Sequence, residues 1–380
     1  MSGYLKAFVY VPYAVFAVSV ALFVLRLDCR WRWKALWTAW LGFCCLIFAA
    51  FRQYGAGCLS PRLPEALIWF WSWAYAGAMF LCALSVAFFW KFRGKAVILP
   101  ILAWGVSAYG VFEAVRPSAV REERLAFPDL PVALDGYRIV QVSDLHASHA
   151  LRAWRTRAVV ETVNALAADV VCLTGDFADG PAADLLPALE PLKDLKARDG
   201  VWAVTGNHEW FLSNASWWPH YANCGLRFLA NECVFPRPEL ALGGVHDFEL
   251  AKSRLPIIDH RLPDVAQTFA AATNGEFRVL MEHQPVNMHE NLTRHGVRLQ
   301  LSGHTHGGFM PGLASLISWL NGGFLKGIYW EGVSVLYVNA GCGQSAGFLM
   351  RLFDASEIAV ISLHRSSADE GKGTDGRVFE

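Results

Sequence analysis

The sequence lacks a surplus of charge, because 33 Lys and Arg residues balance 33 Asp and Glu residues. It has no long basic stripe, which argues against nucleic acid as the main partner. No CxxC or zinc-ribbon spacing occurs among its nine cysteines. Cys224 and Cys233 could pair in an oxidising compartment, but two half-buried thiols are the favoured interpretation. No charge lies in the middle of the longest apolar stretches, so a transport path through them is disfavoured.

Long apolar stretches are what the first 115 residues do contain. The four stretches are Ala7–Leu25, Ala35–Phe51, Leu67–Trp90 and Ala96–Ala114. Each approaches or exceeds the roughly 20 apolar residues that a helix needs to cross a bilayer. Tryptophans cluster near their ends, as in aromatic belts. We therefore predict a four-helix transmembrane region over residues 1–115 that is embedded in the cell membrane, in preference to buried helices of a soluble bundle.

The positive charges around these stretches predict an orientation. The two short loops between stretches concentrate Arg26, Arg30, Arg32, Lys34, Lys91, Arg93 and Lys95. Such loops face the cytoplasm more often than not. The prediction is a multi-pass membrane protein whose C-terminal part lies outside the cytoplasm.

The rest of the chain has the composition of an α/β domain, predicted over residues 137–365. Apolar β-rich runs alternate there with segments of helical spacing. Residues 116–136 are predicted to form a linker, because three prolines interrupt a charged segment. The polar, Gly-rich tail over residues 366–380 is predicted to be disordered.

Five short motifs carry the chemistry of this domain. In chain order they are Asp144-Leu145-His146, Gly175-Asp176, Gly206-Asn207-His208-Glu209, His283 and Gly303-His304-Thr305-His306. Each motif follows the C-terminal end of a predicted strand, where ligands bind in α/β sheets. Their carboxylate, amide and imidazole groups form a donor set for a two-metal centre. Such centres are the usual device for in-line attack on a phosphate ester.

The ordered set of motifs resembles the calcineurin-like metallophosphoesterase superfamily over residues 136–365. Its flanking residues are most similar to a small bacterial branch of exported or membrane-attached phosphohydrolases. The resemblance implies a β-sandwich flanked by helices that binds two divalent metal ions. By position, one ion would be held by Asp144, His146, Asp176 and His306. The other would be held by Asp176, Asn207, His283 and His304, so that Asp176 bridges the two ions.

The remaining residues of the motifs have expected roles beside the ligands. His208 matches the family's non-ligand histidine and is the predicted general acid for the leaving-group oxygen. Glu209 is expected to be structural or to orient His208. Asp179 is expected to support ligands or cap a loop rather than to bind metal. A structural ion pair is favoured for Arg351 over contact with a substrate phosphate. The histidine ligands favour Mn, Fe or Zn over Mg or Ca.

The predicted function is hydrolysis of a phosphate ester by a membrane-anchored enzyme with two metal ions. A phosphodiester of a lipid or of the cell envelope is the favoured substrate, and no substrate-binding residue is assigned. The alternatives are a broad phosphomonoesterase or nucleotidase, and a metal-binding membrane scaffold without activity. The apolar region Phe309–Tyr329 is expected to be a loop folded over the sheet. A second possibility is an apolar lip that enters the bilayer or holds an acyl chain.

Overall fold

The computed structural model describes residues 24, 30–54, 62–87, 98–210, 216–252, 262–273, 275–344 and 348–366. Its N-terminal part, called the helical region below, contains α1 (Trp31–Tyr54), α2 (Glu65–Ala87) and α3 (Ile98–Val115). Helices α2 and α3 pack tightly, because Ser107 Oγ donates to the Trp73 carbonyl (2.7 Å) and Trp73 Nε1 donates to the Trp104 carbonyl (3.1 Å).

Among the described residues, two segments are long and apolar enough to cross a membrane, Glu65–Ser85 and Ile98–Val115. They correspond to the third and fourth predicted spans. The second predicted span coincides with α1, and the first lies outside the described residues except for Val24. The four-span arrangement therefore stays a prediction, while the apolar character of two helices is a finding.

The C-terminal part contains eleven strands in two sheets within the described residues. The strands are β1 (Ala119–Phe127), β2 (Arg138–Val142), β3 (Val170–Leu173), β4 (Val201–Ala203), β5 (Glu232–Arg237), β6 (Leu240–Gly244), β7 (Phe277–Met281), β8 (Leu299–Ser302), β9 (Gly327–Glu331), β10 (Ser334–Val338) and β11 (Glu357–Arg365). The first sheet has the order β1-β11-β2-β3-β4, and the second has the order β5-β6-β7-β8-β10-β9. Strands β2, β3 and β4 are parallel, as are β6, β7, β8 and β10.

The two sheets enclose one apolar core and are covered by helices on their outer faces. Alternation along the strands produces this layering, because successive side chains point to opposite faces of a sheet. Ile139 and Val170 enter the core between the sheets, whereas Val140 and Val171 pack under the outer helices. The helices of this part are α4 (Ala153–Ala165), α5 (Ala182–Leu189), α6 (Val265–Thr268), α7 (Met288–Arg294) and α8 (Leu313–Leu320). The predicted α/β sandwich flanked by helices is confirmed.

The predicted linker differs from the structure. Residues 119–127 form β1, which pairs in parallel with β11 at the edge of the first sheet. This strand is mostly exposed and carries the run Arg121-Glu122-Glu123-Arg124, so its sequence resembles a charged connector. Its partner lies more than 200 residues away, and no local pattern reports such a pairing. Of the predicted disordered tail, all but Ser366 lies outside the described residues.

The helical region packs directly against the sandwich. Leu349 N donates to Ser72 Oγ of α2 (3.1 Å), and Arg351 N donates to the Gly110 carbonyl of α3 (3.0 Å). Trp69 Nε1 donates to the Ala150 carbonyl (3.1 Å). The side chains of Leu349 and Met350 are fully buried in this interface. The segment 348–353 is therefore shared between the two regions.

Candidate metal centre

The predicted ligands come together where the two sheets end. Each of β2, β3, β4, β7 and β8 is followed within four residues by a predicted ligand: Asp144, Asp176, Asn207, His283 and His304, respectively. Hydrogen bonds hold adjacent loops in register, since Asp144 N donates to the Gly175 carbonyl (3.0 Å) and Gly303 N donates to the His283 carbonyl (2.8 Å). The parallel strands thus deliver their following residues to one place, as the motif positions predict.

One group of side chains consists of Asp144, His146 and His306, all buried. Asp144 Oδ1 lies 3.8 Å from His146 Nε2 and 3.4 Å from His306 Nε2. The two imidazole nitrogens lie 3.0 Å from each other. Three donor atoms of the types that bind divalent transition metals therefore converge on one small volume.

A second group consists of Asp176, His283 and His304. Asp176 Oδ2 lies 3.3 Å from His283 Nε2 and 3.5 Å from His146 Nε2, so it faces one imidazole of each group. Asn207 Oδ1 lies 2.9 Å from His304 Nδ1 and joins this second group. Asp176 therefore faces both groups, and the division of these residues into two metal sites stays a prediction.

His283 tests whether the residues present fit a cation. Its Nδ1 lies 2.6 Å from the Thr174 carbonyl, which can only accept, so this nitrogen carries the hydrogen. In a neutral ring Nε2 then presents its lone pair to the Asp176 carboxylate, and it has no hydrogen-bond partner among the described residues. Two electron-rich atoms at this distance require a proton or a cation between them. A ligand imidazole whose other nitrogen donates to a carbonyl is the usual arrangement at protein metal sites.

The electrostatics of the centre are consistent with anionic carboxylates. Burial alone would raise the pKa of Asp144 and Asp176. The neighbouring imidazoles lower it by more than burial raises it, so both pKa values lie below the usual range. Burial lowers the pKa of His283, but the carboxylates raise it to about 10. Burial and the charge of His283 lower the pKa of His304 to about 4. The centre therefore contains ionised carboxylates beside imidazoles that compete for positive charge.

Backbone strain is concentrated at the same residues. Five of the seven predicted ligands have positive φ: Asp144 (52°), His146 (44°), Asp176 (59°), His304 (72°) and His306 (51°). Each such conformation in a non-glycine residue costs on the order of 1 kcal/mol or more and persists only where surrounding contacts enforce it. The fold holds these side chains in place against a local preference, which is typical of functional sites.

Two glycines of the motifs are required by close approach. A Cβ atom at Gly206 would overlap the carboxylate of Asp176, and a Cβ atom at Gly303 would overlap the side chains of Ser143 and Asp144. Any larger residue would push the ligand loops apart. The glycines of the motifs thus set the spacing between the loops rather than binding anything themselves.

His208 lies beside the second group and is oriented by Asp179. Its Nδ1 lies 2.5 Å from Asp179 Oδ1, while Nε2 faces Asp176 Oδ2 at 3.9 Å. Burial lowers the pKa of His208, but the charges of Asp176 and Asp179 raise it above its ordinary value. Asp179 also lies 3.1 Å from His146 Nδ1, so it positions both imidazoles from behind, in line with the expected supporting role.

Glu209 forms hydrogen bonds with the backbone of two ligand loops. Its buried carboxylate accepts hydrogen bonds from the backbone N–H groups of Asp176 (2.9 Å), Phe177 (2.9 Å) and Gly206 (2.6 Å). Burial and the charge of Asp176 raise its pKa to about 7. Glu209 therefore ties two ligand loops together, which is a structural role.

Arg351 is fully buried, which leaves it no surface for a substrate phosphate, and the expected ion pair is not found among the described residues. Its guanidinium donates to the carbonyls of Ala340 (2.9 Å), Gly341 (3.2 Å) and Gly343 (3.0 Å). This loop lies behind the first group, since Gly343 N donates to the Asp144 carbonyl (2.8 Å). Arg351 thus supports the position of Asp144 through the backbone.

Asp247 is a buried acidic residue near the centre that the sequence reasoning missed. Gln284 Nε2 donates to both of its carboxylate oxygens (3.1 and 3.0 Å), and burial raises its pKa to about 6. Asp247 follows β6 by three residues, so the strand-end rule would have found it if β6 had been predicted. Because Gln284 follows His283 directly, Asp247 supports the loop that carries this ligand.

Residues 137–308 match the family model described as calcineurin-like phosphoesterase. The C-terminal domain belongs to the calcineurin-like metallophosphoesterase superfamily. This is a superfamily of phosphoric ester hydrolases, so the resemblance seen in the sequence is confirmed for the superfamily. The bacterial branch stays a prediction.

Curated relatives share the metallophosphoesterase domain. A protein of Danio rerio named "Transmembrane protein with metallophosphoesterase domain" is 31% identical over 282 residues, which are 72% of this chain and 63% of the relative. The protein of the same name from Bos taurus is 30% identical over 285 residues, or 71% of this chain and 63% of the relative. An uncharacterized metallophosphoesterase of Bacillus subtilis, YkuE, is 28% identical over 67% of this chain and 89% of its own length. The chain thus spans less than two thirds of the two animal relatives.

Proposed function

We propose that the chain is a membrane-anchored phosphohydrolase that uses two divalent metal ions to cleave a phosphate ester, with a phosphodiester as the favoured substrate. The observation that carries this proposal is the convergence of two His/Asp groups, with Asp176 of the second group also facing His146 of the first. The imidazole-rich donor set favours Mn, Fe or Zn as the metal.

The metal ions, when bound, would neutralise phosphate charge and supply hydroxide near neutral pH. Asp144, His146, Asp176 and His306 would hold one ion, and Asp176, Asn207, His283 and His304 the other. A carboxylate suits the shared position because it carries charge on both oxygens. Asn207 adds a neutral oxygen, which limits the negative charge of the second site.

The chain's own acid is His208. The ester would approach from the side of Asn207, His208 and His304, which are less deeply buried than Asp144, His146 and His283. A substrate entering on this side meets His208 before the deeper ligands. With Nδ1 held by Asp179, His208 Nε2 would deliver a proton to the leaving oxygen.

Two other functions compete with this proposal. A broad phosphomonoesterase or nucleotidase would use the same donor set, because this fold supports hydrolysis of different esters. A metal-binding scaffold without activity is disfavoured, since such proteins lose ligands or the acid, and this chain keeps all eight residues.

The proposed location is the cell membrane, with several spans and with the metallophosphoesterase domain outside the cytoplasm. Two apolar helices and the names of the animal relatives support the anchoring. The concentration of positive charge in the short loops supports the orientation.

The test is hydrolysis of bis-p-nitrophenyl phosphate and p-nitrophenyl phosphate by the purified full chain in detergent. We expect turnover with Mn²⁺ that is lost after chelation and returns when Mn²⁺ is restored, with the diester cleaved faster. Faster cleavage of the monoester would favour the phosphomonoesterase. A folded, metal-loaded chain that cleaves neither ester nor any phospholipid would favour the scaffold.

A further inference from the structure

Helix α8 presents an unusual surface directly after the last ligand motif. It carries no charged side chain, and none of its eight residues is buried. Its outward face exposes Leu316, Trp319 (75% exposed) and Leu320, while its inward residues are only half-buried. Phe353, which is 76% exposed, is included with these three residues in what we call the apolar lip. The region Phe309–Tyr329, expected to be a loop, thus contains a helix with an outward apolar face.

The contacts of the segment 348–353 fix the depth of Phe353 relative to the helical region. Leu349 bonds to Ser72, which lies seven residues from the start of α2. Arg351 bonds to Gly110, which lies five residues from the end of α3. At 1.5 Å per residue, these contacts lie about 10 Å and about 8 Å from the helix ends that face the sandwich.

A third contact gives the same depth independently. The ring of Phe353 lies 6.1 Å from the ring of Tyr109, six residues from the end of α3 and hence about 9 Å from it. On the same helix, Phe112 is 59% exposed and lies nearer to the sandwich than Tyr109 does. If α2 and α3 cross a bilayer, Phe353 lies at a depth where these helices already expose apolar side chains to lipid.

The lip is also connected to the metal centre. The Phe309 ring stacks on the His306 ring, with centroids 4.7 Å apart. Leu352 N donates to the Phe309 carbonyl (2.8 Å), which joins the segment bearing Phe353 to the segment leading into α8. The segment that bears Phe353 is therefore hydrogen-bonded to a residue that lies three positions after the ligand His306.

We propose that the apolar lip inserts into the bilayer that holds α2 and α3, so that the metal centre receives a phosphate ester of a membrane-resident amphiphile. The acyl part of the substrate would lie along the lip, and its phosphate would reach the ligands His304 and His306. This inference deepens the proposed function and rests on its membrane anchoring. Lipid is the favoured occupant over a second copy or a protein partner, because Phe353 of the lip contacts Tyr109 and continues the exposed apolar surface of α3.

The experiment places a photoreactive amino acid, p-benzoylphenylalanine, at Trp319 of the full chain in phosphatidylcholine–phosphatidylglycerol vesicles. The matched control is Trp330, which is 49% exposed. Trp330 contacts Phe127 at the far end of β1. Phe127 lies eight residues, or about 26 Å of strand, from Ala119, the first residue of β1 after α3. After irradiation, lipid adducts are counted by mass spectrometry. We expect at least about ten times more adduct at position 319 than at 330, in keeping with burial of interfacial aromatic residues among lipid.

The outcomes separate the lip from the anchoring. A chain that leaves the vesicles in alkaline carbonate would overturn the anchoring and the lip together. A chain that stays with the vesicles but labels lipid equally at both positions would overturn the lip alone. Crosslinks from position 319 to another chain in place of lipid would identify a protein interface and overturn the proposal as well.

A second measurement tests the substrate class. The variant Leu316→Ser/Trp319→Ser/Leu320→Ser is compared with Trp330→Ser on two diesters that release the same leaving group, phosphatidyl-p-nitrophenol in vesicles and soluble bis-p-nitrophenyl phosphate. We expect the triple variant to lose about tenfold or more in kcat/KM on the lipid and less than about twofold on the soluble ester. Equal losses on both substrates would contradict a role in receiving lipid.

Discussion

The helical region and the metallophosphoesterase domain place apolar and polar residues in opposite ways. The domain buries its apolar side chains between and beneath its sheets, and a cluster of its buried polar residues forms the metal centre. The helical region exposes large apolar side chains such as Ile101 (68% exposed) and buries small polar ones such as Ser72 and Ser107. Exposed apolar patches of this kind mark surfaces that meet a membrane or another protein, so the two regions are built for different surroundings.

The interface between the regions combines both principles. Leu349 and Met350 are buried there as apolar residues, while Ser72 and Gly110 bind the backbone of the same segment. An interface that satisfies backbone groups by hydrogen bonds fixes the orientation of its partners more narrowly than apolar contact alone. The comparison therefore predicts large effects of substitution at the metal centre, intermediate effects at the interface and small effects at its exposed rim.

The largest effect is expected for Asp176→Asn. Its amide oxygen can still accept the hydrogen bond from His208 N, so the loop is retained while the shared charge is lost. We expect kcat/KM on bis-p-nitrophenyl phosphate to fall by on the order of 10³-fold, or about 4 kcal/mol of transition-state stabilisation. The control is Asp129→Asn at a surface pair with Arg298. Full activity of Asp176→Asn would contradict the role of Asp176 as a ligand shared by two metal ions.

A smaller effect is expected for His208→Ala, of about 10²-fold in kcat. Because a proton donor matters most when the leaving group is basic, the loss is expected to be greater for an alkyl phosphodiester than for a p-nitrophenyl one. The measurement is the dependence of rate on leaving-group pKa, with exposed His289→Ala on α7 as the control. An equal loss for all leaving groups would contradict the assignment of His208 as the acid.

At the interface, Ser72→Ala is expected to lower stability by about 1–3 kcal/mol, because it leaves Leu349 N–H without its acceptor in a buried setting. Ser85→Ala is a matched control, since both serines donate to a carbonyl four residues earlier in α2. Thermal unfolding of the full chain in detergent measures the difference. Equal effects of the two substitutions would show that the bond between regions adds nothing to stability.

The smallest effect is expected for Arg62→Ala. Arg62 Nε lies 2.6 Å from Asp184 Oδ2, but the arginine side chain is more than half exposed. Such pairs contribute at most about 1 kcal/mol and are screened by salt. Unfolding in low and high salt should show a small difference that disappears at high ionic strength. A loss as large as that of Ser72→Ala would show that the rim of the interface matters as much as its centre.

The sequence allowed the centre to be predicted because its signals are local. Each ligand follows a short apolar run, and the glycines beside Asp176 and His304 are required by contacts within or between adjacent loops. Five runs in a fixed order therefore indicated both the fold of the domain and the residues that converge. The structure brings all eight predicted site residues together, and their roles in catalysis stay predictions.

Features that depend on distant contacts were not predictable in this way. Strand β1 pairs with β11 from the other end of the chain, and its charged sequence resembles a linker. Glu209 bonds to backbone N–H groups, which leave no trace in residue identity. The contact of Leu349 with Ser72 joins segments more than 270 residues apart. Burial of Arg351 among carbonyls likewise depends on where a loop of the finished fold lies.

The pairing of β1 with β11 has a consequence for how the protein is made. β1 emerges from the ribosome just after the helical region, and its only strand partner in the described sheet follows roughly 230 residues later. At 5–20 residues per second, translation of the intervening chain takes about 10–50 s. During that interval the first-made strand of the domain has an open edge. The first sheet is complete only when β11 has been synthesised. A chain truncated before Glu357 would therefore keep the edge of β1 unpaired and prone to aggregation.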